Sequence, residues 1–97
     1  MKKQILKWAS DRNLLHYENR FKQYAKLQEE SNELYVAMLD DNKAGIIDAL
    51  GDVSVVLIIL AEQLGFDLDT CLECAYNEIK DRKGQTLNGT FIKDETI

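Results

Sequence analysis

The stretch KLQEESNELYVAMLDDNKAGIIDALGDVSVVL, residues 26 to 57, decides how this chain folds. Its first half sets Glu29, Glu30 and Glu33 among helix-forming residues, and its second half runs into nearly unbroken hydrocarbon. Between them, Asp40-Asp41-Asn42-Lys43 is a polar break with turn and N-cap chemistry. Two helices joined by so short a turn form an antiparallel hairpin, in which residues equidistant from the turn face one another. With the turn centred between Asn42 and Lys43, Glu33 stands level with Asp52. Glu30 then lies one turn farther out, and Asp48 one turn nearer the loop.

The rest of the chain fits around that hairpin. Lys2 to Asn13 places Ile5, Leu6, Trp8 and Ala9 along one side, which predicts a short amphipathic helix, and Leu14 to Asn19 reads as a connection. The second helix is expected from Arg20 to Leu39 and the third from Ala44 to Leu64. The third is apolar nearly all round from Val53 onward, so it should be buried on every side, in part by another subunit. Gly65 stops it, Asp67 or Asp69 caps a fourth helix reaching about Lys83, and Gly84 ends that one. The remaining tail carries an Asn88-Gly89 turn signal and is expected to fold back on the bundle. The expected architecture is all-α: one domain over residues 1–97, a four-helix bundle completed by oligomerisation, with a short C-terminal tail.

Composition narrows the function classes. The chain has 97 residues, 45% of them apolar, and no proline, which favours helices but leaves a poor ratio of core to surface. A net charge of −5 disfavours a general nucleic-acid binder. The N-terminus lacks the apolar region of a signal peptide, and the longest apolar run, Val53 to Ala61 with one serine, falls short of the roughly 20 residues that span a bilayer. A cytoplasmic protein with neither membrane nor nucleic-acid partner is the expectation. Cys71 and Cys74 form a lone CxxC without a βαβ context or further metal ligands, so they read as ordinary helix-face thiols.

The carboxylates are the chemically informative feature. Glu30 and Glu33 are i, i+3, Asp48 and Asp52 are i, i+4, and Glu29 shares a face with Glu33, so three to five carboxylates converge between two helices. Alone, such a cluster repels itself, and burial disfavours its charge. A divalent cation removes the conflict, and an all-oxygen ligand set suits Mg²⁺ or Mn²⁺. A solvated acidic face is the plainer alternative for each residue taken singly. Asp52, set against the most apolar segment, argues for the ion.

These residues resemble a known family. EESNE fits the E-x-x-E-type first motif (E-E-x-x-E) of the MazG-like, all-α nucleoside triphosphate pyrophosphohydrolases, a superfamily that includes dimeric dUTPases. IIDALGDVSVVLIILAEQLG resembles the helix bearing the second motif, and AYNEIKDRKGQTLNGTFIKD resembles the segment that follows it. ILKWASDRNLL and FKQYAKLQEE are similar as well, so the likeness covers nearly the whole chain. The second motif is usually E-x-x-D: its aspartate maps to Asp52, but its glutamate position is Ala49, with Asp48 the nearest substitute. Asp48 would bind the metal directly, bind through water, or cap the local network.

The resemblance implies a dimer or tetramer that converts a (d)NTP and water to (d)NMP and pyrophosphate, with Mg²⁺ held by Glu30, Glu33, Asp48 and Asp52. It implies a water-positioning role for Glu29, so Glu29, Glu30, Glu33 and Asp52 form the expected catalytic set. Lys26, Lys80 and Arg82 would neutralise the triphosphate, Asn77 would reach sugar or phosphate, and Trp8 would stack on a base. The bland readings are solvated basic residues near helix ends and a core tryptophan.

Other phosphate chemistries do not fit. His16, the sole histidine, has no Glu-x-x-His partner for a ferritin-like site and lies in a connection, and a Gly-rich phosphate loop is missing. The remaining alternative is a non-catalytic, oligomeric helical interaction or regulatory module that retains a carboxylate metal site.

Overall fold

A computed structural model describes residues 1–94; positions 95–97, the end of the expected tail, lie outside the described residues. Four α-helices follow in order: α1 (Lys2–Asp11), α2 (Arg20–Leu39), α3 (Lys43–Gln63) and α4 (Leu68–Ile79), with one 3₁₀ turn over Tyr17–Asn19. Strands β1 (Gly84–Leu87) and β2 (Thr90–Lys93) form an antiparallel hairpin after them. The all-α architecture is as expected.

The α2–α3 hairpin is the centre of the fold, with α1 packed across α3. Its turn closes as the sequence requires. Asp41 adopts a left-handed φ of 49°, and the amides of Asp41 and Asn42 donate to the Met38 and Ala37 carbonyls. The Asn42 side chain then accepts from Gly45 N at 3.0 Å and caps α3. Small side chains mark the buried contact, since Ala37 and Ala49 are both buried, and a Cβ on Gly45 would stand 3.3 Å from that of Ala37.

The buried apolar residues among those described are Ala9, Ala37, Ala49, Val56 and Ile59. That is little core for a chain of this length, and the radius of gyration, 16.4 Å, exceeds the roughly 13 Å of a compact domain this size. The cause is α4. It approaches only the end of α3, and among the described residues its N-terminal end is tied to α1 through Lys2, whose ammonium bonds the carboxylates of Asp67 and Asp69. Leu72, Tyr76 and Ile79 are consequently exposed.

Several boundaries differ from expectation for local reasons. α1 stops at Asp11 because Asn13 turns left-handed at φ 60°. α4 stops at Ile79, not near Lys83, because the chain turns there to enter β1. Gly84 therefore opens a strand, where a Cβ would collide with the Ile92 carbonyl. The tail folds on itself rather than on the bundle: Asn88 and Gly89 take φ of 51° and 79°, the positive pair a two-residue hairpin turn needs, and every strand residue is exposed. α3 is also more apolar as a whole than its longest run indicated. Its 18-residue window of mean hydropathy 2.2 is long and apolar enough to cross a bilayer by length and composition, and 22% of that window is buried.

Candidate metal centre and active site

Helix geometry delivers three of the carboxylates to one place. Glu30 and Glu33 occupy neighbouring turns of α2, Asp52 faces them from α3, and one oxygen from each lies within 4.8 Å of the others. Octahedral Mg²⁺ holds oxygens at about 2.1 Å, so opposed ligands stand about 4.2 Å apart. A small side-chain closure brings the trio to that spacing.

Glu30 is the unusual member. It is 7% exposed, whereas Glu33 and Asp52 are open to solvent. One of its oxygens is buried with no hydrogen-bond partner among the described residues. The other lies 3.5 Å from Lys26 Nζ, which also stands 3.7 Å from Glu29. Burial, and after it the proximity of Glu33, raises the Glu30 carboxyl above its ordinary value, while Lys26 opposes that rise. Lys26 is itself held more firmly protonated, first by Glu29 and then by Glu30. A buried carboxylate with an orphaned oxygen beside two further carboxylates fits a hard cation.

Two hollows meet at this cluster, and Asp52 lines both. The first, about 460 Å³, runs from Glu30 and Lys26 past Lys22, Gln23 and Asn19 to Trp8, Leu14 and Gln63, with Val55, Val56 and Ile59 as its apolar floor. The second, also about 460 Å³, holds Glu33, Asp48, Asp40 and Asn42 near the hairpin turn. The first hollow sets two lysines and two carboxylates over an apolar floor, whereas the charged residues lining the second are all acidic.

The expected site residues are thus sorted by position. Lys26 and Trp8 line the first hollow, and Trp8 is 47% exposed with the Arg12 guanidinium 4.2 Å over its ring. Asp48 lines the second hollow beside Glu33 and Asp52 but lies outside the three-carboxylate group. Its neighbour Ala49 takes the buried position, and a helix turns about 100° per residue, which sets Asp48 to the side. Glu29 is exposed and paired with Lys26. Asn77, Lys80 and Arg82 line neither hollow, because α4 projects from the end of α3.

Sequence reasoning missed Lys22, Asn19, Gln23 and Gln63. Gln63 is 4% exposed and donates from Nε2 to the Leu14 carbonyl at 2.8 Å, tethering the α1–α2 connection. The signal was present: Val56, Ile59 and Gln63 are spaced three and four apart, which puts a polar residue on a buried stripe.

A helical hairpin with glutamates on one arm and an aspartate on the other, set on a small all-α scaffold, defines the class. The family model described as phosphoribosyl-ATP pyrophosphohydrolase matches residues 5–80, and the chain belongs to that family, within the MazG-like all-α superfamily. The chain is also 42% identical over 65 residues to an uncharacterised 18.2 kDa protein of Haemophilus phage HP1. That alignment covers 67% of this chain and 40% of the phage protein, so the chain spans well under half of that relative's length. No solved structure matches the chain.

Proposed function

We propose that this chain is a Mg²⁺-dependent nucleoside triphosphate pyrophosphohydrolase, converting a (d)NTP and water to (d)NMP and pyrophosphate. The observation that carries the reading is the convergence of Glu30, Glu33 and Asp52, one oxygen of each within 4.8 Å of the others, with Glu30 itself buried. Family membership supports the reaction class, since pyrophosphohydrolase is what the matched family is called.

Glu30, Glu33 and Asp52 would hold the ion, Mg²⁺ or in its place Mn²⁺, with Asp48 reaching it directly or through water. When bound, the ion supplies charge neutralisation at the phosphates and acidifies a coordinated water. Glu29, freed from Lys26, orients the attacking water and accepts its proton. The water oxygen bonds to the α-phosphorus, the bond from that phosphorus to the bridging oxygen breaks, and pyrophosphate leaves with the electron pair. Lys26 exchanges its carboxylate partners for phosphate oxygens. Trp8 lies at the far end of the same hollow, in position to stack on a base.

The same proposal makes the active form a homo-oligomer, dimer or tetramer, working in the cytoplasm without a membrane or nucleic-acid partner. The exposed stripe Leu72, Tyr76 and Ile79, the exposed Ile47 and Leu50 of α3, and the small core all favour association. Asn77, Lys80 and Arg82 would then serve the hollow of a neighbouring copy. The chain's acidity and the two aspartates within α3 favour water over a bilayer for that helix.

One observation favours a second reading. Ala49 replaces the motif glutamate, and Asp48 stands outside the carboxylate group, which suits a non-catalytic helical module with a residual metal site. A product assay separates the two: purified protein, Mg²⁺ and a panel of NTPs and dNTPs, with monophosphate and pyrophosphate measured separately. Equimolar products, abolished by EDTA and by Glu33→Gln, are expected. Silence across the panel from folded protein would sink the catalytic reading.

A further inference from the structure

The end of the first hollow holds a second buried polar atom without a partner. Gln63 Oε1 is buried and accepts no hydrogen bond from the described residues, although Gln63 lines the hollow that runs from the carboxylates to Trp8. A buried carbonyl oxygen left unpaired is costly, and such a group in a binding hollow selects a ligand that completes it.

The amide cannot turn round to offer a donor instead. Its Nε2 is committed to the Leu14 carbonyl at 2.8 Å, and the reversed amide would set two carbonyl oxygens against each other. Gln63 is therefore a locked acceptor. It lies eleven residues beyond Asp52 on one helix, about 16 Å along the axis. That is the span of a metal-bound phosphate, a sugar and a base laid along the floor of Val55, Val56 and Ile59. Lys22 and Lys26 flank the phosphate end, and Trp8 flanks the base end.

We infer that Gln63 is a specificity-determining residue whose Oε1 accepts a hydrogen bond from an exocyclic amino group, so that the site prefers 4-aminopyrimidine and 6-aminopurine nucleotides over their keto counterparts. This rests on the nucleotide reading above and deepens it. With the phosphate held at the carboxylates, the group on the far edge of the base, position 4 of a pyrimidine or 6 of a purine, would point toward Gln63. Cytosine and adenine place an N–H donor there. Uracil, thymine and guanine place an oxygen there, which would face Oε1 as a second acceptor.

The test is an equilibrium titration that requires no turnover. Trp8 is the single tryptophan of the chain and lines the hollow, so its fluorescence reports occupancy by CMP, AMP, UMP and GMP in excess Mg²⁺. Binding of CMP and AMP at least about tenfold tighter than UMP and GMP is expected, with that preference lost in Gln63→Leu. Because Gln63→Leu also releases Leu14, a cytidine monophosphate analogue lacking the 4-amino group is titrated on the unaltered protein. It should bind as weakly as UMP. Equal affinity for amino and keto bases, an analogue that binds like CMP, or no saturable binding of any monophosphate overturns the inference. Discrimination without hydrolysis would overturn the catalytic reading alone, and hydrolysis without discrimination would overturn this one alone.

Discussion

Lys26 Nζ stands 3.5 Å from one oxygen of the buried Glu30 carboxylate, whose other oxygen has no partner among the described residues. The ammonium therefore competes with a bound metal for the charge of the Glu30 carboxylate. Removing it should help the ion and hurt the nucleotide. Lys26→Met is expected to tighten Mn²⁺ binding severalfold by calorimetry, while raising KM for a triphosphate by about tenfold through the lost charge-assisted contact. A variant that weakens both would refute the exchange of partners.

The acidity of Glu30 has a consequence of definite sign. Its folded-state pKa is raised above the ordinary 4.5, so the folded protein binds this proton more readily than the unfolded chain. Metal-free stability should accordingly fall as pH rises through the raised pKa and recover toward 4.5. Metal binding needs the ionised carboxylate, so its stabilising effect should run the opposite way and vanish on acidification. Thermal melts with and without Mg²⁺ across acidic pH should converge above the pH at which an ordinary glutamate protonates. Glu30→Gln should flatten this dependence, raise the metal-free Tm, and lower kcat by about 10²-fold or more.

The turn that sets the hairpin register can be tested independently of chemistry. Asn42→Ala removes the side-chain acceptor for Gly45 N and should cost about 1 kcal/mol in urea unfolding. Asp41→Gly, at φ 49°, should gain roughly 1 kcal/mol by relieving the left-handed backbone. Both act before any metal is added.

The C-terminal hairpin should be separable from the bundle. Gly84→Val places a branched side chain against the Ile92 carbonyl and the Phe91 ring, so pairing of β1 with β2 should fail. Amide exchange would show protection lost over residues 84–93 with the Tm of the helices unchanged. A drop in the main transition would show that the hairpin supports the helices.

Association is addressed by α4. Leu72→Asp with Tyr76→Ser removes the centre of its exposed apolar stripe without touching a buried residue. Sedimentation should shift from oligomer to monomer, and activity should fall with it if Asn77, Lys80 and Arg82 serve a neighbouring copy. Unchanged sedimentation would place the interface elsewhere.

The sequence by itself determined the hairpin and the carboxylate meeting. Helical periodicity and one short polar turn make the register of Glu33 against Asp52 nearly compulsory, because both are local or two-helix effects. The Asn88-Gly89 turn was legible for the same reason, being decided within four residues. Tertiary packing decided the rest. Only the packing of α1 and α2 on α3 shows that Glu30 is buried while its neighbours are open, that Gln63 tethers Leu14, and that Trp8 shares a hollow with Asp52. Only the placement of α4 shows that Lys80 and Arg82 stand apart from the carboxylates of their own chain. Sequence spacing carries a residue's direction on its own helix, whereas the distance between helices depends on which small and large side chains meet, and that is settled only when they pack.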